Sequence, residues 1–92
     1  LTAKALHTPG HTEGSCCLLT ENLFETPIAF TGDTLFKRSV GRTDLPGGDT
    51  IKIKKSIKDR LYSLDDATIC IPGHGAATTI YEEMKENPYV RK

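Results

Sequence analysis

Three short apolar runs in this chain each stop at a glycine-bearing turn, and each turn carries a side chain able to bind a metal. Ala3 to Leu6 leads into His7-Thr8-Pro9-Gly10-His11-Thr12-Glu13-Gly14-Ser15. Ile28 to Phe30 leads into Thr31-Gly32-Asp33-Thr34, and Ile69 to Ile71 into Pro72-Gly73-His74-Gly75. An apolar run cut off by Gly or Pro reads as a buried strand ending in a tight turn. Three such strands can aim His11, Asp33 and His74 at one point beyond a sheet edge. Imidazole and carboxylate suit zinc and its first-row neighbours, and glycine lets backbone approach closely or take positive φ. One Gly-His or Gly-Asp turn is only a turn; the repetition is what argues for a metal site. The wide separations exclude a zinc finger, whose ligands come in close pairs.

The segments between these turns complete the outline. His7 and His11 would share a helix face at their spacing, but Pro9 and Gly10 forbid that helix, so His7 reads as a strand-end histidine with a structural hydrogen bond. Ser15 to Thr20 and Ile28 to Thr31 flank turn residues Asn22 and Pro27, which predicts neighbouring antiparallel strands. Their nearly continuous apolar character predicts a sheet covered on both faces. Ser15 is no candidate nucleophile, because Glu13-Gly14-Ser15-Cys16-Cys17 lacks the second glycine of a nucleophile elbow. Thr34 to Gly48 reads as a long irregular loop in which Arg42 and Asp44 can brace each other. Lys37, Arg38 and Arg42 are its candidates for facing a substrate. Asp49 caps a helix through about Leu64, with Ile53, Ile57, Leu61 and Leu64 as its apolar stripe and Lys52, Lys54, Lys55 and Lys58 on the solvated side. Ala67 to Ile71 is the last strand. Thr79-Ile80-Tyr81-Glu82 fits a capping box for a closing helix that Asn87-Pro88 ends, and Tyr89 to Lys92 is expected to fray.

Bulk composition narrows the function classes. Twelve basic and twelve acidic residues cancel among the 92, so no global charge draws the chain to nucleic acid or an anionic membrane. The basic run from Lys52 to Arg60 reads as a wet helix face, since no interleaved aromatics offer stacking platforms for bases. No apolar run approaches the ~20 residues that span a bilayer. Three cysteines with no C-x-x-C pair, Cys16, Cys17 and Cys70, read as small buried hydrophobes of a reducing compartment.

Thr8-Pro9-Gly10-His11-Thr12-x-Gly14-Ser15, Thr31-Gly32-Asp33-Thr34-Leu35-Phe36, Gly41-Arg42-Thr43-Asp44 and Pro72-Gly73-His74-Gly75 closely resemble, in order and spacing, the motifs of the metallo-β-lactamase-fold hydrolases. Within them the chain looks most like the glyoxalase II type, the hydroxyacylglutathione hydrolases and their shorter bacterial relatives. The resemblance runs from about His7 to Pro88. The family's other metal motif, His-x-His-x-Asp-His, has no counterpart among the three histidines present. The resemblance therefore implies that residues 1–92 are the C-terminal half of such a domain, with the N-terminal half absent. The expected class is α/β (α+β by some schemes), half of an αββα sandwich with mixed and antiparallel strands and two helices.

For the complete domain the resemblance implies a two-metal site. His11 would serve one metal and His74 the other. Asp33 would bridge them and so be the catalytic residue, with a metal-activated hydroxide as nucleophile. Zinc is the expected metal, two per complete site, with iron or manganese as the alternatives. The implied substrate is a small molecule, a glutathione thioester. Alone, the chain is expected to bind metal weakly, to be inactive, and to pair with the missing half or with itself. The location expected is cytoplasmic, with organellar targeting left open. Two alternatives remain: an iron-dependent persulfide dioxygenase, which shares the fold, and a non-catalytic partner-binding fragment. Nucleases of the same superfamily stand further off.

Overall fold

Alternation with a period of two decides the main sheet. The computed structural model describes residues 2–21 and 26–91. In β2 (Cys16–Glu21) Cys17 and Leu19 are buried while Leu18 is exposed, and in β3 (Ile28–Gly32) Ala29 and Thr31 are buried while Phe30 is exposed. Successive side chains of a strand point to opposite faces, so each strand lays one set of residues on each face. β1 (Thr2–His7) runs antiparallel to β2, with Leu6 opposite Cys17. β2 runs antiparallel to β3 as expected, with Leu19 opposite Ala29. The turn through Asn22 lies outside the described residues.

β3 then pairs in parallel with a strand far along the chain, which requires a long crossover. That crossover holds a small hairpin, β4 (Leu35–Phe36) and β5 (Ser39–Val40), followed by helix α1 (Thr50–Ser56). Its partner strand is β6 (Ile69–Pro72), and β7 (Thr78–Thr79) adds antiparallel to β6. The main sheet has the order β1-β2-β3-β6-β7, and α2 (Ile80–Glu86) closes the described fold. The expected class of mixed strands with two helices is what the chain adopts. No helix among the described residues is long and apolar enough to cross a membrane.

The helix α1 forms where its cap and stripe direct. Asp49 accepts the Lys52 backbone N–H at 2.9 Å, and Ile53, Ile57 and Leu61 are wholly buried while the neighbouring lysines face solvent. A spacing of four overshoots an α-helical turn by about 40° per step. The chain takes up this overshoot by widening into a π-helical turn over Ile57–Leu61, which keeps the stripe on one face. Tyr62 follows at once, and its hydroxyl donates to the carbonyls of Glu83 and Val90 at 3.1 and 2.5 Å. At α2, Thr79 accepts the Glu82 backbone N–H at 3.2 Å, the N-cap half of the expected box. The helices, Tyr62 and Val90 share one core cluster with Leu6, Cys17, Leu19, Ala29 and Cys70.

Five expectations need correction. Ala67 to Ile71 is not the last strand, because β7 follows β6. The sheet is not covered on both faces. Ala5, Leu18, Phe30 and Ile71 stand opposite one another across four strands, and all four are exposed. A run that is apolar on both faces does not show how much of its cover the same chain supplies. The stretch from Thr34 to Gly48 is not wholly irregular, because it holds the β4–β5 hairpin. Cys17 and Cys70 are buried, but Cys16 alternates onto the open face. The tail does not fray throughout: Val90 is 2% exposed and held by Tyr62.

Two predictions follow from the packing. A Cβ on Gly10 would lie 2.3 Å from the Ile53 Cα, and Gly10 has φ +143°. Gly10→Ala should therefore destabilise by roughly 3 kcal/mol in urea unfolding, combining overpacking with a φ disfavoured for L-residues. Gly14→Ala, with open space around it, should change stability by no more than about 0.5 kcal/mol. Burial pushes the Cys70 thiol from 9.0 up to about 12. Its proton thus stays on in the folded chain at pH values where the unfolded chain releases it. This contribution is fully present below the unfolded value and lost as pH rises through the folded one. The urea midpoint should fall above pH 9.0, less steeply in Cys70→Ala, and a thiol reagent at neutral pH should modify only Cys16 in the folded chain.

Candidate metal centre

The loop after β1 is wound before it reaches the site. Thr8 N–H donates to the Ser15 carbonyl at 2.9 Å and Gly10 N–H to the Thr12 carbonyl at 3.0 Å. The Ser15 hydroxyl oxygen accepts the Thr12 N–H at 3.0 Å and bonds the Thr12 hydroxyl at 2.8 Å, so Ser15 ties the loop. His7 bonds the Glu13 carbonyl through Nε2 at 2.9 Å, the structural role expected of it. The loop is also pinned from below, where Asp49 N–H donates to the Gly10 carbonyl at 2.7 Å and the Ser56 hydroxyl to the Pro9 carbonyl at 2.7 Å.

His11 leaves this loop with its tautomer set. Its Nδ1 lies 2.8 Å from the Arg42 carbonyl, which only accepts, so Nδ1 carries the proton and the neutral ring keeps its lone pair on Nε2. That lone pair faces Asp33 Oδ2 at 3.8 Å. Asp33 sits just past β3, where Gly32 takes φ +51° and its carbonyl accepts the Gly73 N–H at 2.8 Å. The second carboxylate oxygen, Oδ1, faces His74 Nδ1 at 3.8 Å. Asp33 thus stands between the two imidazoles, one oxygen to each.

Two glycines leave the room this arrangement needs. A Cβ on Gly41 would lie 1.8 Å from the Asp33 carbonyl oxygen and 3.3 Å from the His11 Cβ. A Cβ on Gly73 would lie 3.4 Å from Asp33 Oδ1. Around the three side chains opens a cavity of about 560 Å³, walled by Phe36, Lys37, Val40 and Arg42 among others. The Phe36 ring centre is 4.8 Å from that of His74. His74 is otherwise the open member, its side chain 79% exposed against 21% for His11.

The donor set fits a metal in kind and in spacing. At 3.8 Å each N···O pair is too long for a hydrogen bond. It is within about half an ångström of the ~3.3 Å separating two donors on one tetrahedral zinc with bonds near 2.0–2.1 Å. The set is also incomplete: among the described residues, no group of three or more His, Cys, Asp and Glu side chains encloses an ion unaided. Each imidazole has one oxygen of a shared carboxylate for company, where zinc wants three or four ligands.

The basic loop residues divide three ways. Arg42 makes a bidentate pair with Asp44, at 2.8 and 3.0 Å, which raises the guanidinium pKa and lowers that of the carboxyl. Its backbone carbonyl orients His11. Lys37 lines the cavity. Arg38 does not face a substrate: its guanidinium binds Glu83 on α2, so that expectation fails for a side chain whose buried partner lies far along the chain. Glu83 was missed, and Asn87 was read only as the end of α2, which it caps. Charge on an amphipathic helix reads as solvated, and nothing local marks Glu83 as wholly buried. Thr8 and Thr34, both buried, bond each other at 3.2 Å beneath the site; their place beside Pro9 and Asp33 was the available signal.

Known proteins share this arrangement of elements. A hydroxyacylglutathione hydrolase, GloC, of Haemophilus influenzae is 45% identical over 87 residues, which are 95% of this chain and 40% of that protein. The crystal structure of the BLEG-1 B3 metallo-beta-lactamase superposes with a TM-score of 0.89 at 41% identity, covering 98% of this chain and 42% of that one. The structure of TTHA1623 in a di-iron-bound form gives 0.83 at 40% identity, covering 96% and 42%. The chain therefore spans less than half the length of these relatives. Residues 1–74 match the family model of the Metallo-beta-lactamase superfamily, and with strands, turns and donors in that order the chain belongs to this superfamily.

Proposed function

We propose that His11, Asp33 and His74 are part of the two-metal centre of a hydrolase of the hydroxyacylglutathione hydrolase type, whose other ligands lie in a longer polypeptide. The observation that carries this reading is the division of Asp33, whose two oxygens face two different histidines. A carboxylate so placed can serve two cations and reduce the repulsion between them. The 45% identity to GloC supports the glutathione thioester as substrate class. Metal ions held there would supply Lewis acidity and bring a bound water's pKa towards ~7.

The chain's own residues do the rest. The Arg42 carbonyl fixes which nitrogen His11 presents. Phe36 and Val40 give the cavity an apolar wall that keeps water from one side of the reacting carbonyl. Lys37 sets a positive charge at its edge, suited to a substrate carrying carboxylates.

The longer polypeptide should hold two zinc-type ions and hydrolyse a glutathione thioester. Asp33→Asn should lower that rate by more than about 100-fold, since even residues that only orient metal ligands cost 10–100-fold. One iron per chain with oxygen uptake would establish the dioxygenase alternative instead. The 92 residues alone should show no tight stoichiometric site in a calorimetric zinc titration; finding one would contradict the assignment of the two histidines to separate ions.

We further propose that the remainder of the polypeptide covers the open apolar row of Ala5, Leu18, Phe30 and Ile71. Facing solvent, such a row drives association. The isolated chain should self-associate with rising concentration in analytical ultracentrifugation. Phe30→Lys, at a position 43% exposed, should suppress this while shifting stability by no more than about 0.5 kcal/mol.

A further inference from the structure

Helix α2 buries a carboxylate that the hydrolytic reading leaves unused. Glu83 is 0% exposed, and its oxygens collect four donors. They are the Arg38 backbone N–H at 2.7 Å, the Arg38 guanidinium, the Thr78 hydroxyl at 2.5 Å and the Asn87 amide at 3.1 Å. Replacing a buried charge pair with apolar side chains is often neutral or stabilising, so anchoring α2 did not require this one. What the carboxylate grips is specific. Arg38 is the second residue of the two-residue turn between β4 and β5, and at φ +60° it is the one non-glycine residue with positive φ among those described. From the same helix end, Asn87 also donates to the Ser39 carbonyl at 3.1 Å. The gripped hairpin supplies Phe36, whose ring lies 4.8 Å from His74, and with Lys37, Ser39 and Val40 it walls the cavity.

We propose that Glu83 is a positioning residue for the site: its carboxylate fixes the bend of the β4–β5 hairpin and thereby sets Phe36 against the His74 imidazole. A left-handed turn residue costs free energy, and its persistence needs surroundings that over-determine it. Glu83 supplies them with one bond to the backbone at the strained residue and one to its side chain. The functional weight of this inference rests on His74 being a metal ligand; the geometry does not.

Proton NMR of the metal-free chain, in a Phe30→Lys background that keeps it from self-associating, tests it without recourse to activity. The chain has three histidines, giving three imidazole C2–H resonances, which are compared between variants at one fixed pH. Phe36→Leu should move the His74 resonance towards that of a free imidazole by removing the ring current. Glu83→Gln, with Phe36 intact, should move it in the same direction and leave His7 and His11 in place. Should Glu83→Gln unfold the chain, Arg38→Gly decides the matter. It removes the guanidinium but keeps the backbone donor and suits φ +60°, so a smaller displacement of the same sign is expected. A folded Glu83 or Arg38 variant with His74 unmoved, where Phe36→Leu moves it, would overturn the proposal. A Phe36→Leu variant that leaves His74 unmoved would do the same. Zinc bound by the longer polypeptide without engaging His74 would count against the metal reading alone, because the resonance is read on the chain without metal.

Discussion

Backbone lies directly on helix where Gly10 meets Ile53. A Cβ at Gly10 would fall 2.3 Å from the Ile53 Cα, so helix and loop touch at a distance no other residue permits. The neighbouring carbonyls of Pro9 and Gly10 are used up by Ser56 and Asp49. Loop and helix consequently behave as one body, and the helix is held to the sheet by three wholly buried aliphatic residues, Ile53, Ile57 and Leu61. His11 inherits its position from that chain of contacts. The site is placed by burial some distance from it, which is how a small domain can hold a polar constellation without surrounding it with core.

Around Asp33 the same economy recurs in polar form. Its backbone is crowded by Gly41 and its carboxylate approached by Gly73, so the space beside it is reserved for donors on other loops. One imidazole is oriented by a backbone carbonyl, the other lies beside an aromatic ring. The first is a hydrogen-bonded support of the sort that surrounds ligating histidines. The second depends on a hairpin gripped from α2. The two histidines are thus controlled by different parts of the fold, in keeping with their facing different oxygens of Asp33.

Much of this was legible in the sequence, and the reason is local periodicity. The apolar runs that stop at glycine turns, the 53-57-61 stripe and the caps at Asp49 and Thr79 each involve residues within a few positions of one another. The alternation in β2 and β3, by contrast, was hidden by apolar residues on both faces. What escaped reading was short or long-range. Two-residue strands such as β4, β5 and β7 cannot show a period. Arg38 looked like a loop cation free to face a substrate because its partner, Glu83, is 45 positions away. Phe30 and Ile71 looked like core because an apolar residue carries no label for which polypeptide will cover it.

By itself the sequence determined the candidate donors and their order: two histidines and an aspartate, each on a glycine turn at the end of a strand. Those features depend on residue type and nearest neighbours, and so survive without a fold. Only the tertiary structure decided which nitrogen of His11 faces inward, which oxygen of Asp33 faces which histidine, and which charge is buried. Each of these is settled by a contact between distant residues, such as the bond from His11 to the Arg42 carbonyl across 31 positions. Contacts of that kind exist only after strand pairing and helix burial have brought the loops together.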